Sequence, residues 1–284
     1  MSVALSSELA AARSGVDSDG DRPGHRGTMD AGRGVVAAVS AIANDDTPTS
    51  RGGPPLYGRM MNSIRRGHGI GNSIRLVKLP LVFLEQRLYA EAIAQFWALS
   101  RALETQLEVH KGHPMVARVR ELGLCVTPGY ASDLRQLLGE DWDAAANEAL
   151  LTAATRDYVA ALQEADPVSL TAAAFILYGA LVVGGGKSTQ AKVAKIFPRC
   201  DHKTFDVAPD MVAARAAFKR TFTEIGKEWP QHFDTLERQA AEWMARNNRV
   251  LLSIRCVGVK AAAAAAAAAA VAVVSVVGAR ALLR

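Results

Sequence analysis

The sequence predicts an all-α protein, and three observations support this fold class. Half of the 284 residues are apolar, with alanine the most abundant. Glycine and proline, which weaken helices, are rare in the long middle segments. Apolar side chains recur there at three- and four-residue steps, and no run with strand periodicity bounded by hairpin turns is found. We therefore expect one helical domain over residues 57–256, a size typical of a single domain.

The composition excludes several functional classes. Three cysteines without a CxxC pair exclude a disulfide scaffold and a cysteine-based zinc module. The 33 basic and 28 acidic residues give a net charge of +5, which is too mild to indicate nucleic-acid binding. We therefore expect no nucleic-acid partner.

The first 56 residues differ in composition from the rest. They are rich in glycine, serine, aspartate and proline and lack an apolar period, so residues 1–56 are predicted to be disordered. Their acidic residues argue against a transit peptide, and no apolar signal-peptide core is found. Disorder in the cytosol is the favoured interpretation.

Helix boundaries follow from apolar spacing and from proline. The clearest helix carries apolar residues from Leu84 to Leu107 and should end before Pro114. Another should follow Thr127, the expected N-cap, with Pro128 at the first helical position. Further helices are expected over residues 142–165, 168–183, 208–227 and 232–257.

The C-terminal segment has a composition of its own. Residues 261–279 are uncharged and comprise twelve alanines, five valines, one serine and one glycine. As a helix they would span about 28 Å, close to the thickness of a bilayer core. An alanine helix in water is the alternative, because alanine is nearly neutral in membrane insertion. The C-terminal position favours a hydrophobic tail anchor over residues 257–284.

Three motif-like strings fail as sites. The string from Gly184 to Thr189 ends like a P-loop, but Leu181 stands where the first glycine is required. The string from Gly67 to Asn72 lacks the third glycine of a dinucleotide fingerprint. His110 and His113 lack a third metal ligand nearby, so a solvated pair is favoured.

The glycines at 184–186 interrupt an otherwise helical pattern. Each glycine inside a helix costs about 1 kcal/mol relative to alanine. The string indicates either a kink where a flat group approaches the backbone, or a loop between two helices. A bent apolar segment in an all-α protein, with the isolated His68 upstream among basic residues, favours a porphyrin ligand.

From about Arg59 to Leu252 the chain resembles the heme oxygenase family. The C-terminal apolar run also looks like the membrane anchor of the animal enzymes. The resemblance rests on the order and spacing of several segments: Lys78–Phe83, Leu88–Tyr89, Phe96–Trp97, Arg101–Glu104, His113–Val116, Asp133–Leu134, Leu138–Trp142, Tyr178, Gly184–Gly185, Phe218–Lys219 and Asn247–Asn248.

The resemblance implies a heme held between a proximal helix and a glycine-kinked distal helix. His68 lies about where the family places its proximal histidine and is the expected axial ligand of the heme iron. Neutral imidazole suits iron, and its second nitrogen needs an orienting acceptor. From the residues alone, a surface histidine in a basic loop is the alternative.

The other expected site residues also come from the resemblance. Arg65 and Lys219 match basic residues that bind heme propionates, and Ala180 matches a heme-contacting position. Gly184 and Gly185 match the catalytic kink of the distal helix.

Three positions depart from the family pattern. Leu181 replaces an aspartate that organises distal water in the animal enzymes, and Phe175 replaces a tyrosine near the propionates. Gly67, Gly69 and Gly71 place helix-weakening residues around the proximal histidine.

The resemblance implies an oxidoreductase that uses heme b as both cofactor and substrate. Electrons from an NADPH-linked reductase would support opening of the ring to biliverdin, carbon monoxide and ferrous iron. The alternative is a non-catalytic, membrane-tethered heme-binding protein. The expected location is a membrane, most simply the endoplasmic reticulum, with the helical domain in the cytosol; a soluble cytoplasmic protein is the alternative.

Overall fold

A computed structural model describes residues 54–140, 142–143, 147–184 and 186–258. Within these ranges the chain is all-α, as predicted. The expected disordered segment up to residue 53, and the expected tail from residue 259, lie outside the described residues. The helices are α1 (Leu56–Val82), α2 (Gln86–Val109), α3 (Pro114–Arg120), α4 (Thr127–Leu138), α5 (Ala153–Gln163), α6 (Pro167–Val182), α7 (Gly186–Ile196), α8 (Met211–Glu228) and α9 (Phe233–Ser253).

Helix α6 is the central helix of the core. The Asp166 carboxylate accepts a hydrogen bond from the Ser169 amide at 2.7 Å, and Pro167 occupies the first turn. Every residue from Ser169 to Tyr178 is buried. A helix that is apolar on all sides belongs in the interior, so the neighbouring helices pack around α6.

Helices α1 and α9 lie side by side and run in the same direction. Near their beginnings, the Arg59 guanidinium contacts the Glu237 carboxylate at 2.6 Å. Near their ends, the Lys78 ammonium donates to the Leu251 carbonyl at 3.2 Å. The two helices are therefore matched along most of their length.

An aromatic cluster joins the beginning of α1 to α6 and α8. Phe175 of α6 lies 5.9 Å from Tyr57, 5.6 Å from Phe218 and 4.9 Å from Phe222, measured between ring centroids. Edge-to-face and offset contacts of this kind stabilise beyond the area they bury. Gly179 lies against the same cluster, because a Cβ there would be 3.3 Å from the Phe218 ring.

The predicted N-cap of α4 is wrong. The helix begins at Thr127 itself, and the Thr127 hydroxyl is buried without a hydrogen-bond partner. Instead, the carboxylate of Glu104 on α2 accepts from the Val126 amide at 2.6 Å and the Thr127 amide at 3.2 Å. A carboxylate from a distant part of the chain thus binds free amides at the beginning of the helix.

The helix predicted over residues 142–165 is also wrong in extent, because residues 149–152, directly before α5, are not helical. The Thr152 hydroxyl caps α5 by accepting from the Thr155 amide at 3.3 Å. The buried Gln95 side chain of α2 accepts from the Thr152 amide at 2.9 Å and donates to the Leu150 carbonyl at 2.9 Å. These bonds satisfy a non-helical backbone before α5.

Helix α9 ends at Ser253, four residues before the predicted boundary. Ile254 has an extended backbone, with φ −59° and ψ 128°. The Lys78 ammonium donates to the Ile254 carbonyl at 2.6 Å and also contacts the Leu252 carbonyl. A cation bound to the last carbonyls of a helix stabilises its C-terminus.

A buried carboxylate connects α4 to the short 3-10 helix Lys203–Phe205. Asp133 is fully buried and accepts from the backbone amides of Lys203 at 2.7 Å and Thr204 at 2.8 Å. Phe205 of the same turn lies near Gly186, the first residue of α7. Asp133 therefore holds the turn that packs against the beginning of α7.

We predict that Asp133→Ala lowers the free energy of unfolding by about 2–3 kcal/mol, because two buried amides lose a charged acceptor. Asp133→Asn should lose less, since one oxygen remains. Asp157→Ala, at an exposed position of α5, is the control. Chemical denaturation followed by circular dichroism measures the difference. Equal stability of Asp133→Ala and the control would contradict this role.

Candidate functional site

His68 lies on an exposed part of α1. Its Nδ1 is 3.3 Å from Nδ2 of Asn72, one turn further along the helix. Its Nε2 has no hydrogen-bond partner among the described residues. With the Asn72 amide turned so that its oxygen accepts from Nδ1–H, the neutral ring presents the Nε2 lone pair. This arrangement suits a metal ligand oriented by a second residue.

The surroundings of His68 favour its neutral form. Desolvation, together with the positive charge of Arg75, lowers the pKa of the imidazole below its ordinary value. Burial also lowers the pKa of Arg75. Because only the neutral imidazole has a lone pair for a metal, His68 is ready to act as a ligand near neutral pH.

The two expected propionate-binding residues lie on different helices. Arg65 is exposed on α1, three residues before His68, and its Nη2 donates to Oδ1 of Asn62 at 2.7 Å. Residues three apart share a helix face, so α1 brings Arg65 and His68 together. Lys219 is exposed on α8, next to Phe218 of the aromatic cluster that contacts the beginning of α1.

The glycines around His68 do not interrupt α1, which is continuous from Leu56 to Val82. A Cβ on Gly67 would lie 2.7 Å from Cγ of Met244, and a Cβ on Gly71 would lie 2.6 Å from Oδ1 of Asn248. A Cβ on Gly69 would meet nothing within 4 Å. The expected local weakness is therefore outweighed by tertiary packing, because two of the glycines let α9 approach closely.

Asn248 of α9 binds the backbone of α1 directly. Its Nδ2 donates to the Gly67 carbonyl at 2.8 Å, one residue before His68. Its Oδ1 is buried without a partner in the described structure. In the sequence, Asn248 was only one marker of the family order. The four-residue spacing of Gly67 and Gly71 was the available signal that another helix approaches here.

The expected distal kink is a bend between two helices. Helix α6 ends at Val182 and α7 begins at Gly186, with 54° between them. The Gly184 amide donates to the Gly179 carbonyl at 3.1 Å, and a Cβ on Gly184 would overlap the carbonyl oxygen of Ala180. Glycine is therefore sterically required at 184. Gly185 lies outside the described residues.

Within the described residues, no single helix is long and apolar enough to cross a membrane. The bent pair α6–α7 meets the criteria of length and composition when its two helices are taken together.

The side chains before the bend are apolar. Ala180 is exposed, Leu181 is half-buried against the core, and Val182 is buried. The Arg215 guanidinium on α8 donates through Nε to the Val182 carbonyl at 2.9 Å, and so binds the end of α6. Phe175, one of the departures from the family, lies inside the aromatic cluster.

The histidine pair at the end of α2 gains no support as a metal site. In the part of the chain that the structure describes, no group of three or more His, Cys, Asp or Glu residues could hold a metal ion. The Nδ1 atom of His113 is buried without a hydrogen-bond partner, while His110 is half-buried.

We predict that Gly71→Ala is less stable than Gly69→Ala by about 1–2 kcal/mol. Both gain helix propensity, but only Gly71→Ala displaces Asn248 and breaks its bond to the Gly67 carbonyl. Gly69→Ala is the matched control, because that position has open space. Thermal and urea denaturation give the difference. Equal stability of the two variants would show that the α1–α9 contact can open without cost.

Comparison with known proteins gives a consistent result. The family model described as Heme oxygenase matches residues 65–242, more than half of the chain. Heme oxygenase 2 from Chlamydomonas reinhardtii, solved without heme, is 26% identical, with a TM-score of 0.63; the match covers 72% of this chain and 99% of that chain. A search of curated proteins finds no match.

Two bacterial structures share the fold at lower identity. Heme oxygenase from Leptospira interrogans is 16% identical, with a TM-score of 0.59, and the match covers 70% of this chain and 98% of that one. Heme oxygenase-1 from Synechocystis sp. PCC6803, solved in complex with heme, has the same identity and TM-score, with coverage of 70% and 91%. With the extent of the family match and the all-α fold, these findings show that the chain belongs to the heme oxygenase family.

Proposed function

We propose that this protein binds heme b through His68 and opens the ring to biliverdin, carbon monoxide and ferrous iron, using O2 and electrons from an NADPH-linked reductase. The observation that carries the proposal is His68 itself. In a heme oxygenase fold, it combines an open Nε2, an oriented Nδ1 and a lowered pKa. When bound, heme supplies the iron at which O2 is activated.

The residues present fit this group. His68 would be the axial ligand, and the cationic side chains of Arg65 and Lys219 would pair with the propionates. Ala180 is a small, exposed residue directly before the bend, so a flat ring can approach the backbone there. The related Synechocystis protein, solved with heme, supports the same use of this fold.

One observation favours a second function. From Ala180 to Val183 there is no polar side chain. None of these side chains can hold or relay a proton. A heme-binding protein that does not turn over is therefore the second candidate function.

A single sequential experiment separates the two. Heme is titrated into the protein while the Soret band is followed, and a reductase system with NADPH is then added. Biliverdin absorption after the Soret band supports the oxygenase. A stable Soret band without biliverdin supports the heme-binding protein, and the absence of a specific Soret band contradicts both.

For the tail, we propose that residues 257–284 anchor the protein in a membrane, with the helical domain on the cytosolic side of the endoplasmic reticulum. The support is the uncharged run at 261–279, which as a helix approaches the thickness of a bilayer core. A soluble cytoplasmic protein is the alternative. Flotation of the full chain with lipid vesicles tests the anchor.

We predict that His68→Ala abolishes the histidine-ligated heme spectrum and leaves the helical content unchanged. The imidazole is exposed and contributes little to the core, so its loss should affect ligation only. The control is His110→Ala, at the end of α2, which should keep the parent spectrum. Absorption spectra of heme-loaded protein and far-UV circular dichroism are the measurements. An unchanged heme spectrum in His68→Ala would rule out this ligand.

We predict incomplete coupling in the parent and a higher biliverdin yield in Leu181→Asp. An aspartate supplies an acceptor for ordered water near the bend, which leucine cannot provide. The carboxylate is tolerated there only if water or the bound ligand solvates it. Leu181→Ile, of the same size and without a hydrogen-bonding group, is the control.

The measurement is biliverdin formed per heme consumed, with hydrogen peroxide assayed in parallel. Near-complete yield in the parent, with no gain in Leu181→Asp, would show that another group already performs this task.

A further inference from the structure

A stripe of exposed apolar side chains follows the second half of α1. Ile70, Val77 and Leu81 recur at steps of seven and four, so they share one side of the helix. Leu84 continues the stripe just past the end of α1, with 74% of its surface exposed. Contiguous exposed apolar surface of this kind marks an interaction site.

This stripe is separate from the candidate heme site. At 3.6 residues per turn, Val77 lies nine residues and therefore about 180° around α1 from His68. The side of α1 between them carries Gly67 and Gly71 and is covered by α9. The stripe and the candidate ligand therefore face away from each other.

The end of α9 and the segment after it reach the same place. The Lys78 ammonium contacts the Leu252 carbonyl, and Gly258 lies directly against the Glu85 carboxylate. Leu252 and Val257 are exposed, like the stripe they adjoin. We name the combined patch the exit surface, and it consists of Ile70, Val77, Leu81, Leu84, Leu252 and Val257.

The exit surface lies where the chain leaves the helical domain. The described structure ends at Gly258, against Glu85, and the uncharged run begins three residues later at Ala261. Three residues span at most about 11 Å. Whatever receives the run at 261–279 must therefore lie close to the exit surface.

We propose that the exit surface rests on the lipid bilayer that receives the tail, so that the domain is held against the membrane by α1 and the end of α9. This inference rests on the tail anchor proposed above. Valine and leucine favour a membrane environment, whereas alanine contributes little. A run of twelve alanines and five valines is a weak anchor, and apolar contact by the domain adds to it.

The basic residues near the exit surface also suit contact with a lipid surface. Arg249 is exposed on α9 and lies three residues before Leu252, on the same side of the helix. Lys260 directly precedes the uncharged run. Basic residues beside an apolar patch favour anionic lipid headgroups. We therefore choose vesicles that contain phosphatidylserine as the probe.

The test uses the full chain with Cys125 and Cys256 replaced by serine. An environment-sensitive fluorophore is attached to Leu81→Cys, or to Thr105→Cys as the matched control on the exposed side of α2. Each protein is added to phosphatidylcholine–phosphatidylserine vesicles with or without doxyl-labelled lipid. We expect a blue shift and doxyl quenching for the label at 81, and neither for the label at 105.

Flotation of the same samples separates the tail from the exit surface. A protein that floats but shows no quenching at 81 keeps its anchor, and the exit-surface proposal is overturned. A protein that does not float overturns both. A blue shift at 81 without lipid would assign the surface to the folded-back tail or to a second copy of the chain, and would also overturn it.

Two substitutions that introduce negative charge into the stripe give an independent readout. Val77→Glu with Leu81→Glu should weaken vesicle partitioning about tenfold with the tail intact, because two carboxylates enter the lipid contact. Thr105→Glu should leave partitioning unchanged. Heme binding should survive in both, since the stripe faces away from His68. Unchanged partitioning of the Val77→Glu, Leu81→Glu chain would overturn the proposal.

Discussion

The close approach of α1 to α9 at Gly67 and Gly71 determines how α1 presents its other residues. A side chain at either position would collide with Met244 or Asn248, so these α9 side chains pack directly against the backbone of α1. The bond from Asn248 to the Gly67 carbonyl fixes the rotation of α1 one residue before His68. Once the rotation of α1 about its axis is fixed, the direction of each of its side chains is fixed as well. His68, Asn72 and Arg75 consequently lie on one side of α1 and the apolar stripe on another.

The distal side depends on backbone contacts rather than on functional side chains. Gly184 is required because any Cβ would meet the Ala180 carbonyl, and Arg215 binds the carbonyl at the end of α6. Asp133 holds the turn that places Phe205 near the beginning of α7. The bend is therefore held from three sides, while the side chains facing it are apolar. Binding of a flat ligand needs only a bend that is held in place, whereas oxygen chemistry also needs a proton source.

Much of the fold could be predicted from the sequence, because burial follows a local period. The predicted helix at 168–183 matches α6 to one residue at each end, and that at 208–227 matches α8 to within three. The errors occur where distant groups act. Glu104 binds the Thr127 amide from 23 positions away, and Gln95 binds the Thr152 amide from 57 positions away. Neither partner is visible in a local window.

In the candidate site too, features set by local sequence could be predicted and features set by distant contacts could not. The glycine bend could be located by spacing and family order, and His68 could be proposed as the ligand in the same way, because both depend on positions along the chain. The role of Gly67 and Gly71 could not, since a missing side chain does not reveal which neighbour needs the space. Propensity alone predicted a weakened helix, whereas packing against α9 keeps α1 continuous. Asn248 gave no functional signal either, because its bond to the Gly67 carbonyl joins two helices far apart in the sequence.

The two exposed sides of α1 constrain how the proposed activities fit together. With the exit surface on the bilayer, the side of α1 that carries His68, with Arg65 about 60° from it, would face water, because His68 lies about 180° around the helix from Val77. A ligand with two carboxylates gains from the basic residues on that side, and its charged edge stays solvated. The proposed cytosolic electron donor would then approach the same side without crossing lipid. One helix, rotated by its contact with α9, would thus separate the proposed lipid contact from the proposed heme site.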